Sequence, residues 1–83
     1  MLAETDSSTA TIFVSLLNEG TPVWRPVLAE RMGHAEYRLI APRGPRGYDP
    51  EDEEWEFEPG TLVICEERQI GGEMVKVAVR RAD

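Results

Sequence analysis

Seven of the ten residues from Asp49 to Glu58 are carboxylates, with Trp55 and Phe57 among them and no basic residue. The segment reads Asp49-Pro50-Glu51-Asp52-Glu53-Glu54-Trp55-Glu56-Phe57-Glu58. Carboxylates at this density can do two kinds of chemistry. They can offer hard oxygen ligands to a cation such as calcium, or they can set up a negative field that attracts a basic partner. The chain carries 16 acids against 9 bases, and outside this segment the two signs are equal, so the formal net charge of −7 arises from this stretch. The spacing is not that of an EF-hand, whose alternating Asp ligands are followed by Gly and a closing Glu. A small-ligand or calcium site is therefore one alternative, and an interaction surface for a basic protein is the leading expectation.

Trp55 and Phe57 are two positions apart, so on an extended backbone they share a face, with Glu54, Glu56 and Glu58 on the other. Two readings follow. The rings plug an open end of the core, or they form an aromatic contact surface ringed by carboxylates and suited to an arginine-rich partner. Trp24 raises the same question. It precedes Arg25 and Pro26, and a proline in a strand favours an edge that can accept a partner strand. The candidate partner-binding residues are thus Asp49, Glu51, Asp52, Glu53, Glu54, Trp55, Glu56, Phe57 and Trp24. A third option is internal, with Arg43 and Arg46 folding back on the acidic run as an ion-pair network.

Other chemistry finds little support. The single histidine, His34, falls in an expected turn, and the single cysteine, Cys65, follows Ile64 in a strand where a thiol behaves as a small hydrophobe. Gly44-Pro45-Arg46-Gly47 lacks the Lys-Ser/Thr of a phosphate-binding loop and precedes no helix. No catalytic residue, cofactor or metal ligand set is assigned, and the chain is not expected to be an enzyme. A sequence pI of 4.6 disfavours nucleic acid. If a barrel face did bind RNA, Arg25, Arg43, Arg46, Arg80 and Arg81 would carry it.

The elements that must hold these residues are short runs of alternating apolar and polar residues between turn residues. They cover 11–17, 23–32, 35–41, 61–68 and 73–80. Gly33-His34 and Gly71-Gly72 are hairpin turns, glycine supplying positive φ at no steric cost. No window shows a helical period. The expected fold is all-β, a small five-stranded curled sheet or barrel with a long acidic loop between the third and fourth strands. Its core is expected to draw on Ile12, Val14, Leu16, Val27, Leu39, Leu62, Ile64, Val75, Val77 and one or both tryptophans.

At 83 residues this is one small domain, expected over 11–83 after a disordered segment over 1–10. That segment has neither the basic nor the apolar region of a signal peptide. No run approaches the ~18 apolar residues of a membrane span, and a lone cysteine suits a reducing cytoplasm. The expected state is a cytoplasmic monomer or homodimer, the latter by pairing of an edge near Trp24.

The stretch Tyr48-Asp49-Pro50, continuing through Glu56-Phe57-Glu58-Pro59-Gly60-Thr61-Leu62-Val63-Ile64, resembles the opening of a Src-homology-type domain. The resemblance covers under a quarter of the chain and implies a small barrel of that shape. The paired tryptophans with which such domains read proline-rich peptides are missing. More broadly, Val23-Trp24-Arg25-Pro26-Val27, Tyr37-Arg38-Leu39 and Trp55-Glu56-Phe57-x-Pro59-Gly60-x-x-Val63-x-Cys65-Glu66 look like a family of short uncharacterised bacterial proteins. That likeness implies a stand-alone bacterial domain and no particular activity.

Overall fold

Gly71 and Gly72 turn the chain between its two longest strands, with φ of 60° and 86°. Both values lie in the left-handed region, so this is a primed two-residue turn whose twist matches that of the strands it joins. The computed structural model describes residues 8–42 and 47–82. Five strands run in chain order: β1 (Thr9–Ser15), β2 (Trp24–Arg31), β3 (Glu36–Leu39), β4 (Leu62–Ile70) and β5 (Glu73–Arg81). Each pairs antiparallel with the next, and β5 returns to β1, closing a small barrel. The closing contact, Phe13 with Val77, is parallel. An odd number of strands alternating in direction makes the first and the last run the same way, so the seam cannot be antiparallel. There is no α-helix among the described residues. The protein is an all-β, five-stranded barrel, consistent with the small Src-homology-like shape. β1 begins at Thr9, two positions before the run expected from the pattern.

The turn after β2 spans Gly33-His34-Ala35, and the amides of Met32 and Gly33 both donate to the Glu36 carbonyl, at 2.8 and 3.3 Å. Asn18, between β1 and β2, has φ of 62°. Asn tolerates this conformation better than other non-glycine residues.

The core contains Ile12, Val14, Val27, Ala29, Tyr37, Leu39, Trp55, Phe57, Val63, Cys65 and Ala78, with Leu16 packed against it. Two strands differ from the expected facing. In β4 the core takes Val63 and Cys65, while Leu62 and Ile64 lie on the other face, partly buried. Leu62-Val63-Ile64-Cys65 is apolar throughout, so alternation could not choose a face, and a one-residue change of phase moves every side chain across the sheet. In β5 the core takes Ala78, opposite Cys65. Val77, expected in the core, is buried as well, paired with Phe13 at the seam, and Val75 is partly buried. The register slips here: Cys65 pairs with Ala78 and Ile64 with Arg80, leaving Val79 as the extra residue of a bulge.

β2 pairs with β1 from Trp24 to Glu30 but with β3 only from Ala29 to Arg31, and the last contact is the Ile40 amide donating to the Leu28 carbonyl at 3.0 Å. The half of β2 from Trp24 to Val27 therefore has one open side. Leu28 directs its carbonyl toward β3, and period two puts Pro26 on that same side. The amide hydrogen that Pro26 lacks is thus missing from the open edge rather than from the ladder to β1, where proline is tolerated.

Candidate functional site

The acidic segment lies between β3 and β4 and is fastened to the open end of the barrel. Trp55 forms an antiparallel bridge with Leu16. The Leu17 amide donates to the Glu54 carbonyl, and the Glu56 amide to the Ser15 carbonyl, each at 2.8 Å. Trp55 is 4% exposed and Phe57 7% exposed, both in the core cluster. The two rings share a buried face while Glu56 and Glu58 are exposed, so the alternation is real and the plug is its outcome. Trp24, at the start of β2, is 38% exposed and is the tryptophan at the surface.

Upstream, the Asp49 carbonyl accepts from the amides of Asp52 and Glu53, both at 3.0 Å, and its Oδ1 accepts from the Glu51 amide at 3.0 Å. The side chain and backbone of Asp49 thereby fold Pro50–Asp52 into a tight turn. Tyr48 covers the far side of Trp55. The ring centroids are 5.0 Å apart and tilted by 53°, and the Tyr48 phenol oxygen accepts from the Trp55 amide at 2.9 Å.

Glu53 is the most engaged carboxylate. Arg25 Nε donates to both of its oxygens, at 2.9 and 3.1 Å, and Arg25 Nη2 adds a close contact to Oε2. The Trp55 indole nitrogen donates to Glu53 Oε1 at 3.2 Å. The hydrogen bond from Arg25 holds the Glu53 carboxyl below its ordinary range, against the opposing effect of burial, and the pair raises the Arg25 guanidinium in turn. Glu54 accepts from Asn18 Nδ2 at 2.7 Å. Glu51, Asp52, Glu56 and Glu58 are exposed.

A groove of about 470 Å³ runs along the open edge of β2, between Pro26 and Leu28 on one wall and Ile40, Ala41 and Pro42 on the other, closing on Glu53 and Trp55. Leu28 is 45% exposed and Ile40 36%. A second cleft of about 220 Å³ holds Tyr48, Asp49 and Asp52. Sequence reasoning missed Leu28, Ile40, Pro42 and Tyr48 as parts of one site. Pro26, as a marker of an edge, and the candidates Asp49, Asp52, Glu53 and Trp55, which line these clefts, pointed towards it.

Arg25 is committed to Glu53, and Arg80 and Arg81 are exposed at the end of β5. Arg43 and Arg46, with the internal network expected of them, lie outside the described residues. Among the described residues, no three His, Cys, Asp or Glu side chains are grouped to hold a metal ion. His34 is exposed in its turn. Burial pushes the Cys65 thiol up to about 11, so at neutral pH it carries its proton and is a poor nucleophile. No described helix is long and apolar enough to cross a membrane. Compared with protein-family models, with curated proteins and with solved structures, the chain matches none.

Proposed function

We propose that the protein is a non-catalytic protein-interaction module that meets a basic surface through the carboxylate face of the acidic segment. One observation carries this reading. Trp55 and Phe57 anchor the segment in the core, while Glu51, Asp52, Glu56 and Glu58 stand exposed with no side-chain partner among the described residues. Charge held on a folded platform needs less ordering on binding than charge on a free tail, and a concentrated negative field speeds and orients encounter with a positive one.

The test is co-purification from the native host with tagged wild type and with a variant carrying Glu51→Gln, Asp52→Asn, Glu56→Gln and Glu58→Gln. Glu53 and Glu54 are spared because they hold Arg25 and Asn18. Wild type should retain a protein partner that the variant loses, and retention should weaken as salt rises past ~0.15 M, where the Debye length falls below about 8 Å. Equal capture by the variant, or capture indifferent to salt, would remove the electrostatic basis of the reading.

A further inference from the structure

The groove on β2 and the acidic cleft adjoin at Pro42, Glu53 and Trp55, which line both, and together make a two-part depression. Its two halves differ in chemistry. The wide half is apolar, walled by Pro26, Leu28 and Ile40. Its volume of about 470 Å³ falls within the ~300–1,000 Å³ of pockets that bind ligands. The narrow half carries Asp49 and Asp52. Glu53, at the junction, is already neutralised by Arg25 and hydrogen-bonded by the Trp55 indole, so it makes no demand for a further cation. Asp49 spends one oxygen on the Glu51 amide, and the Asp52 carboxylate has no partner among the described residues. Among the described residues, the narrow half therefore sets one Asp49 oxygen and the Asp52 carboxylate, both without a basic partner, beside an apolar wall.

We infer that this depression takes an extended segment of a partner protein that places an aliphatic or aromatic side chain against Leu28 and Ile40 and a neighbouring arginine or lysine at Asp49 and Asp52. The inference rests on the protein-interaction reading and gives the partner its chemistry. Docking is through side chains rather than by strand addition, because Pro26 removes a donor from the open edge of β2 where a sixth strand would need one. The apolar contact supplies affinity and the charge contact fixes direction, since a segment laid in reverse would set its cation against Leu28.

The experiment is selection of a displayed library of random linear peptides on the full chain at physiological salt. Selections are run in parallel on Leu28→Ser, Ile40→Ser and Asp52→Arg, three changes at exposed positions. Wild type should enrich peptides with an apolar residue close to an arginine or lysine. Peptides synthesised from that pool should bind each variant about tenfold more weakly or worse. Circular dichroism identifies which variants are folded, and either serine variant suffices for the apolar arm. The inference is overturned if no peptide is enriched, if the enriched peptides lack a basic residue, or if they bind Asp52→Arg as well as wild type. A host partner recovered by co-purification alongside peptides of the wrong class would leave the interaction reading standing and remove this one. Failure of both experiments would remove both.

Discussion

Leu16 and Trp55 face each other across an antiparallel bridge that makes the acidic segment a short sixth rung on the end of β1. The hydrogen bonds on either side of this pair, from Leu17 to Glu54 and from Glu56 to Ser15, leave Trp55 with its ring in the core and its neighbours' carboxylates outside. Core packing and charge display are therefore set by the same few residues.

Trp55→Ala should cost about 3–5 kcal/mol, the range for emptying a large buried aromatic. That approaches the whole stability expected of a domain this small, so the variant should be largely unfolded, with collapse of the near-ultraviolet dichroism. Tyr48→Phe keeps the ring contact and removes only the acceptor of the Trp55 amide. It should cost about 1 kcal/mol in chemical denaturation.

Glu53→Gln removes the grip of Arg25. An exposed pair of this kind contributes roughly 0.2–1 kcal/mol, so the melting temperature at neutral pH should fall by a few degrees. The Glu53 carboxyl is lowered by folding, so its contribution is present above the ordinary value of 4.5 and is lost as pH falls through the lower folded value. Wild type and variant should differ at pH 7 and converge in strong acid. A gap that persists at low pH would mean the pair acts through packing.

Cys65 should resist alkylation in the native protein and react on unfolding, with labelling followed by intact mass. Its folded value of about 11 lies above the ordinary 9.0, so from pH 9.0 upward the unfolded chain gives up this proton first. Stability should accordingly decline between pH 9.0 and about 11, and Cys65→Ala should reduce that part of the decline.

The two turn glycines should respond differently to substitution. A Cβ at either meets nothing within 4 Å, so only backbone strain is at stake. Gly72→Ala, at φ 86°, should cost about 1–2 kcal/mol. Gly71→Asn, at φ 60°, should be neutral or slightly stabilising, because Asn-Gly suits a primed turn and narrows the unfolded ensemble. Thermal melts of the two variants should bracket wild type.

Facing in β4 can be tested with matched truncations. Val63→Ala should destabilise more than Leu62→Ala although it removes fewer atoms, because Val63 is fully buried and Leu62 only partly. The reverse order in urea denaturation would restore the facing suggested by the pattern.

Much of the fold was legible along the chain. Alternation and paired glycines are local properties of backbone and side chain, so five strands and their hairpins could be placed to within a few residues. Period two also put Trp55 and Phe57 on one face. It could not say whether that face looked inward, since a plug and a contact surface share the same alternation. The same ambiguity explains β4, where four consecutive apolar residues carry no phase. Arg25 and Glu53 lie far apart in sequence, and only barrel closure brings the start of β2 to the acidic segment.

The sequence by itself determined the all-β pattern, the concentration of the net charge of −7 in one segment, and the edge signal of Pro26, because each depends on residue type or short-range spacing. Only the tertiary structure decided which side of β4 is core, that Trp55 is inside and Trp24 outside, and that Leu28 and Ile40 flank a groove closing on Glu53 and Trp55. These follow from strand register and closure, which set long-range neighbours that no local period encodes.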